Sequence, residues 1–571
     1  MFIIDEFEKV VRSVSEHNAL VSDYEGKMSY QKMNECANYI ASELDAFSLV
    51  KDEVIGICME RSFSLLISIL AVLKTGHAYL PLDASYPEDR IKYMIKNTNV
   101  KRIITTPDKH HLFDKYTDID IYEEKEIMTL THYMRKNEYR SDLFCVIYSS
   151  GSTGNPNGVM ITNDSIWNTV NWAIHFYELS DKDVSLQIPS CSYVSSVQDY
   201  FSTFLSGGTL LMINDMDLFN LSYLHKLCCK YKVTHFDIVP SLYKEYVKSL
   251  PELENLRFVL LAGESLDMDL VHEHFRKFEN VRLVNEYGMA ETSSCFCYHE
   301  LYKNSEEVFI GTPITNMEFM IESNETEVGE LVVKGPGLAK GYYNNDSHTS
   351  EKFVDIADAL YLRTGDVVKL CDNGLLKYIG RADEQVKVNG KRVNLSEIDH
   401  CLRKFAEVDK IVSLGIDVSN EKIIVTFICA KNKDKYYYYN IVKKHLPDQF
   451  IPNDIIVMDQ FFYLPNNKMD LNRMKAYYID ILKNNKVAIT KEYNEIYTIV
   501  CKHMPLLKNK VDENTDLKTA GIDSIILLKI IAEIEYTYQM EINYDIYNQM
   551  GTISIKNLKK AVDKLMGNQN V

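Results

Sequence analysis

The sequence predicts an α/β protein that ends in a small helical unit, and three observations predict it. Helical and strand-like signals alternate from the start of the chain to about residue 380, the pattern of buried sheets covered by helices. From Gly380 to about residue 478 a smaller unit carries strands of its own, such as Lys410–Gly415 and Lys422–Cys429. From near residue 490 the signals are helical and the charge turns acidic. Between Asp512 and Asp545 stand eight acids (Asp512, Glu513, Asp516, Asp523, Glu533, Glu535, Glu541, Asp545) against two lysines, Lys518 and Lys529.

The elements follow in chain order. Tyr30–Leu44 has helical spacing, and Glu53–Met59 (EVIGICM) is a short apolar run, hence a buried strand. Ser62–Thr75 is helical again, and Gly76 ends it. Further strand-like runs are Lys101–Thr106, Thr209–Ile213, Phe236–Val239, Phe258–Leu261 and Glu330–Val333. In the last unit, helices surround one turn, Ala520–Ser524. The helix Ile525–Tyr536 keeps Ile526, Ile530 and Ile534 on one buried face. A small acidic helical unit behind a large α/β body suggests a docking module.

Size and charge bound the function. The 571 residues are enough for several cores. Lys and Arg total 63 against 81 Asp and Glu, a formal charge of −18, which argues against a general nucleic-acid binder. The twelve cysteines show no paired CxxC spacing. Cys295 and Cys297 sit two apart, with nothing nearby to complete a metal set. They read as reduced thiols of a cytoplasmic protein. The start, MFIIDEFEKV, has acids where a signal peptide needs a basic segment. The most apolar stretch, Leu65–Leu73, is too short to span a bilayer.

One loop carries a chemical suggestion. Tyr148–Val159 reads YSSGSTGNPNGV and follows the apolar run Phe144–Ile147. Small residues let a backbone come close to another group, and consecutive N–H groups with Ser and Thr hydroxyls can cradle an anion. Neither GxGxxG nor GxxxxGK[ST] is present. The loop alone is therefore either a phosphate cradle or a flexible surface turn.

Seven further stretches extend the pattern: GHAYLPLDASYPEDR at Gly76–Arg90, NEYGMAET at Asn285–Thr292, GELVVKGPGLAKGYYN at Gly329–Asn344, YLRTGD at Tyr361–Asp366, GRADEQVKVNGKRVNLSEI at Gly380–Ile398, NNKMD at Asn466–Asp470 and GIDSI at Gly521–Ile525. With the loop, and in this order, they resemble an adenylation domain of the adenylate-forming superfamily, nonribosomal peptide synthetase type, followed by a peptidyl carrier domain. The resemblance covers nearly the whole chain. It implies an adenylate-forming core over residues 1–382, a small mobile α+β subdomain over 383–480 and an all-α four-helix carrier domain over 490–571. It also implies an AMP-forming acid:carrier-protein ligase. ATP activates a carboxylic acid as the acyl-adenylate, and a phosphopantetheine thiol on Ser524 then takes the acyl group. Such a chain would act as a loading module of antibiotic-type secondary metabolism. It would need a phosphopantetheinyl transferase as partner and a downstream enzyme that docks the carrier in trans, with neither nucleic acid nor membrane involved.

The resemblance also assigns residues. Ser149, Ser150, Gly151, Ser152, Thr153 and Gly154 would cradle phosphates. Asn285 would read the adenine edge and Tyr287 would stack on the ring. Asp366 would bind both ribose hydroxyls, since a carboxylate accepts two hydrogen bonds. Arg381 would approach ribose and phosphate. Glu291 would hold Mg2+, a hard cation that takes oxygen ligands. Lys468 would donate where negative charge concentrates during transfer. Asp383 would be the hinge about which the small subdomain rotates, bringing the Lys387–Gly390 loop to the site for the second half-reaction.

The chain departs from the family pattern at several of these places. Asn157 stands where Lys is common, so hydrogen bonding is kept and charge is lost. Asn163 replaces a common His, and Ala290 a common Thr. Asn467 and Leu471 replace Gly and Arg around Lys468. The form Met289–Glu291 resembles aryl-acid and some acyl-activating members. The stretch IPSCSYVSSVQDYF at Ile188–Phe201 looks like the family's pocket helix, with Val194 where α-amino-acid activators carry Asp. Matching the other pocket positions gives Ser195, Gln198, Asp237, Leu260, Ala262, Glu286, Ser294 and Cys295. Without a carboxylate at Val194, an α-ammonium would be buried unpaired, at a cost of several kcal/mol on a rough scale. Asp237 and Glu286 instead favour a β- or ω-amino acid or a guanidino acid. The alternatives are an aryl, hydroxy, keto or plain acyl acid, an atypically bound α-amino acid, and a degenerate carrier without catalysis.

Overall fold

The computed structural model describes residues 1–46, 53–123, 129–134, 140–149, 156–215, 217–249, 251–322, 327–381, 385–388, 391–418, 421–431, 434–462, 469–485, 495–503, 515–517, 524–538 and 553–568. It divides into two compact units. The first is 1–150, 156–214 and 226–383; the second is 151–155, 215–225 and 384–571.

Three sheets build the first unit. A nine-stranded sheet runs in the order Thr312–Pro313, Ser294–Leu301, Arg282–Met289, Phe258–Ala262, His235–Ile238, Val184–Leu186, Thr209–Leu211, Asn18–Ser22 and Gly26–Ser29. Its central neighbours are parallel and its edges antiparallel. A six-stranded sheet runs Asp120–Glu123, Arg102–Thr105, Val54–Cys58, Ala78–Pro81, Leu143–Ser149 and Asn157–Thr162. The expected buried strand is thus Val54–Cys58, buried at all five residues as parallel strands are. Two helices, one apolar nearly all round and one amphipathic, show how these sheets are covered. The helix Phe63–Lys74 is buried along its whole length and is capped by Ser62, whose hydroxyl accepts from Leu65 N. The helix Tyr30–Ala46 packs beside it, and both enter the main hydrophobic core.

The third sheet is antiparallel and has five strands: Glu318–Glu322, Val328–Lys334, Ala359–Leu370, Phe353–Ile356 and, also paired with Ala359–Leu370, Leu376–Arg381. In the second unit, Gln385–Val388 pairs with Lys391–Asn394. A separate sheet runs Lys410–Val418, Glu421–Cys429 and Asp454–Met458. The helices Leu395–Phe405 and Lys435–His445 share a core with that sheet through Ile398, Leu402, Tyr438 and Val442.

The last described helices are Glu495–His503, Ser524–Tyr538 and Ile555–Asn568. They bury Ile496, Val500, Leu527, Ile530, Ile531, Ile534, Leu558 and Val562 in one cluster. The expected face thus holds at Ile530 and Ile534 and is widened by Leu527 and Ile531. No described helix is long and apolar enough to cross a membrane.

Candidate active site

The chain places two groups of carboxylates in the first unit, and cross-strand pairing fixes the first. Asp366 on Ala359–Leu370 and Arg381 on Leu376–Arg381 are register partners, so their side chains meet as directly opposed pairs do. Arg381 donates to Asp366 Oδ1 at 2.9 Å and to the Thr364 carbonyl at 3.0 Å. The Tyr287 hydroxyl donates to Asp366 Oδ2. Asp366 is 1% exposed, and these partners occupy both of its carboxylate oxygens. Burial, and then the Asp366 charge, push the Tyr287 phenol well up, which keeps it a donor. The turn that delivers Asp366 uses Gly365 at φ 74°, whose N–H donates to Glu330 Oε1 at 2.8 Å.

Glu291 stands on a single 3-10 turn, Ala290–Thr292, between two paired strands. Gly288 makes that tight return possible: a Cβ there would lie 1.7 Å from the Ser294 carbonyl oxygen. Glu291 is buried, and its Oε1 accepts from the Tyr342 hydroxyl at 2.9 Å. Asn285 is buried too, with its Nδ2 donating to the Phe309 carbonyl at 2.8 Å. This bond uses one of the two amide protons and leaves the second and the Oδ1 acceptor for an adenine edge.

Asn157 answers differently from a phosphate contact. It opens the strand Asn157–Thr162, is buried, and its Oδ1 accepts from Asn345 Nδ2 at 3.0 Å. Asn345 is in turn the N-cap of the helix Asp346–Lys352, accepting from His348 N at 3.3 Å. Ser149, which ends Leu143–Ser149, is the register partner of Asn157. Asn163 begins the helix Asn163–Phe176 and donates to the Asp142 carbonyl at 3.3 Å. Asn157 and Asn163 thus each tie their own strand or helix to a distant segment, while Asn467 lies outside the described residues.

The second carboxylate group lies around the helix Val194–Ser206. The register partners Asp237, Leu260 and Val284, and likewise Ala262 and Glu286, share one face of the nine-stranded sheet. A small cavity of about 10 Å³ opens there, lined by Tyr177, Ser195, Gln198, Asp199, Ser202, His235, Asp237 and Leu260 among others. Glu286 adjoins it, accepting from the Tyr177 hydroxyl at 2.6 Å and from Gln198 Nε2 at 3.1 Å. The Cys295 thiol donates to the Cys297 carbonyl at 3.3 Å. Tyr177, Phe258 and His235 form a stack of rings, with centroids 4.5 and 4.6 Å apart. Behind it Trp172 stacks on Phe176 at 5.1 Å and meets Tyr177 edge-on at 5.8 Å.

Burial dominates the electrostatics of this group. It pushes Asp237 well up, aided by the charges of Glu286 and Asp199. It pushes Glu286 up against the hydrogen bonds of Tyr177 and Gln198. It pushes Asp199 up to about 7, against the Ser185 hydrogen bond and the Arg61 charge. His235 is lowered to about 4 by burial and stays neutral.

The sequence expectations divide accordingly. Ser195, Gln198, Asp237 and Leu260 do line one cavity. Val194, Ala262 and Ser294 are not on its lining. The helix begins only at Val194, one turn before Gln198, and Ser294 sits in the tight turn at φ 88°. Asp199 and Tyr177 were not singled out by the sequence. Ser150, Gly151, Ser152, Thr153, Gly154, Asp383 and Lys468 lie outside the described residues. Lys387 is on the strand Gln385–Val388, and Ser524 is the first residue of the helix Ser524–Tyr538.

Comparison with known proteins gives three findings. A family model described as AMP-binding enzyme matches residues 7–343. Bacitracin synthase 3 of Bacillus licheniformis is 36% identical over 478 residues, 81% of this chain and 8% of that protein. Gramicidin S synthase 2 of Brevibacillus brevis is 31% identical over 485 residues, 81% of this chain and 11% of that protein. The chain thus spans about a tenth of the length of these curated relatives. A solved structure, holo-PA1221, described as an NRPS protein containing adenylation and PCP domains bound to a vinylsulfonamide inhibitor, matches with TM-score 0.82 over 99% of this chain and 97% of that one. Its identity is 19%, so the likeness is one of fold.

Proposed function

The chain belongs to the AMP-binding enzymes, a family of adenylate-forming ligases, and from that premise we propose that it activates a carboxylic acid with ATP and loads the acyl group on its own carrier segment. The observation that carries the first step is the Asp366 carboxylate between Tyr287 and Arg381. A fixed, charged acceptor with lone pairs to spare suits a ribose diol, and Arg381 beside it suits a phosphate. Glu291 supplies a hard oxygen ligand for Mg2+. Among the described residues no group of three or more His, Cys, Asp or Glu forms a metal site. The ion would therefore be held by Glu291 together with phosphate oxygens, as Mg2+ in nucleotide sites commonly is. Bound there, it would offset phosphate charge.

The core spans 1–382, the small subdomain 383–480 with Asp383 as hinge, and a four-helix carrier domain 490–571. Lys468 donates to the reacting carboxylate and α-phosphate in the first half-reaction. The Lys387–Gly390 loop replaces it in the second. Phosphopantetheine on Ser524 supplies the accepting thiol, and a downstream enzyme acts on the loaded carrier. The acid is one whose cationic group lies away from the α-carbon, because Val194 offers no carboxyl while Asp237 and Glu286 place carboxyls elsewhere in the pocket.

Intact-mass spectrometry of the full chain after phosphopantetheinylation tests this reading. ATP and an accepted acid should add one acyl mass. Ser524→Ala should keep ATP–pyrophosphate exchange and gain no mass. A Ser524→Ala chain that loads normally ends the carrier assignment.

A further inference from the structure

Two acids, Asp199 and Asp237, line the acyl-side cavity. Asp199 is 7% exposed, and its Oδ1 accepts from the Ser185 hydroxyl at 2.6 Å. Its Oδ2 is buried with no hydrogen-bond partner among the described residues. The neighbouring Gln198 is 5% exposed, and while its Nε2 serves Glu286, its Oε1 is also buried without such a partner. Both side chains line the same cavity as Asp237, and no Lys or Arg is among the described residues lining it. Unsatisfied buried acceptors are expensive and uncommon. These two acceptors, with the second carboxyl Asp237 at the same cavity, suit a donor that carries several protons and a positive charge.

The cavity is small, about 10 Å³, near the lower limit for holding one small polar group, which favours a compact donor. A primary ammonium is of that size and offers three donors, whereas a guanidinium is a planar fork of several heavy atoms. Position narrows it again. Gln198 and Asp199 stand four and five residues beyond Val194 on one helix, about 6–7.5 Å along its axis at 1.5 Å per residue. A cation held by them is therefore several bonds from an atom beside Val194, farther than the amine of β-alanine reaches.

We propose that Asp199, with Gln198 Oε1 and Asp237, forms a subsite for a primary ammonium at the far end of a linear acid, and that Asp199 is the specificity-determining residue of the pocket. The proposal rests on the reading of this site as the acyl pocket of an acid-activating enzyme. Ser185 is then a positioning residue: its hydroxyl holds Oδ1 so that Oδ2 turns to the cavity.

The test is ATP–pyrophosphate exchange by the full chain over a matched series: β-alanine, 5-aminopentanoate, 6-aminohexanoate, the methyl-terminated acids of the same two longer lengths, 4-guanidinobutanoate and benzoate. The wild-type chain is expected to favour a longer ω-amino acid over its methyl-terminated match by a hundredfold or more in kcat/KM, with β-alanine and the guanidino acid behind. Asp199→Asn, nearly isosteric, should cut that ratio at least tenfold, chiefly through KM. Asp237→Asn serves as a second, independent removal of charge. Exchange that is as good with the methyl-terminated acids or benzoate, or a ratio that survives in both variants, overturns the subsite and leaves acid activation standing. Exchange with none of the acids overturns the activation reading and the subsite together.

Discussion

Asp366 and Asp199 are both buried aspartates on the same unit, yet they face opposite surroundings. Asp366 has a guanidinium on one oxygen and a phenol on the other. Asp199 has a serine hydroxyl on one oxygen and, among the described residues, no hydrogen-bond partner on the other. The first therefore has both oxygens hydrogen-bonded, one of them by a cation. The second, like Asp237 and Glu286 beside it, is pushed toward the neutral acid by burial. The difference teaches what each place is prepared for: a paired carboxylate is a finished acceptor, and an unpaired one becomes an acceptor when a cation arrives.

The strongest way to break this comparison is to remove the paired anion. Asp366→Ala leaves Arg381 buried without its counter-charge and is expected to cost about 3–5 kcal/mol of stability, with ATP binding lost. Urea unfolding and titration calorimetry with ATP would show both. If Asp366→Ala is as stable as the parent, the pair is not the charged structural unit described here.

Next is the pH response of the unpaired acid. Asp199 titrates near 7 in the folded chain and near 3.8 when unfolded, so the folded state holds the extra proton between those values. Its contribution is fully present below pH 3.8 and is lost as pH rises through 7, with a slope of up to about −1.4 kcal/mol per pH unit. Asp199→Asn should flatten that part of the stability profile between pH 4 and 7. An unchanged profile would mean that Asp199 is ionised in the fold.

A matched pair of tyrosines sharpens the contrast at smaller scale. Tyr287→Phe removes a hydrogen bond to a charged acceptor and should cost about 1.5–3 kcal/mol. Tyr177→Phe removes one to Glu286, which burial shifts toward neutral, and should cost about 0.5–1.5 kcal/mol. Equal losses in denaturant titrations would erase the distinction between the two regions.

The smallest effect is expected at Asn157→Lys. The lost bond to Asn345 should lower stability by about 1 kcal/mol, while apparent ATP affinity rises or stays level. A collapse of exchange activity would show that this strand end cannot carry a cation.

The parts of this architecture that were legible in the sequence are those written locally. The buried strand at Val54–Cys58, the capped helix Phe63–Lys74 and the strands of the smaller unit came from short apolar periods and turn residues. Asp366, Arg381, Tyr287 and Glu291 were found through motif order, and the structure gathers the first three of these. What stayed hidden depends on distant pairing. Asn157 meets Asn345 across 188 residues, and Tyr177 meets Glu286 across 109, so no local pattern announces either. Asp199 looked like one more polar residue on a helix because its burial arises only once the sheet is in place. Tyr342 lay inside a quoted motif, GYYN, but nothing in the motif says that its hydroxyl ends on Glu291.

The ring stack behind the cavity has an optical consequence. The chain has two tryptophans, Trp167 and Trp172, and both stand on the helix Asn163–Phe176. All of its indole emission therefore originates from one helix, whose Ala173 lines the cavity. Trp172 touches Tyr177 edge-on, and Tyr177 holds Glu286, so a change of charge at that carboxyl is two contacts from the emitter. The fold thus places a built-in fluorophore where an arriving acid can be followed in real time, without a label and without turnover.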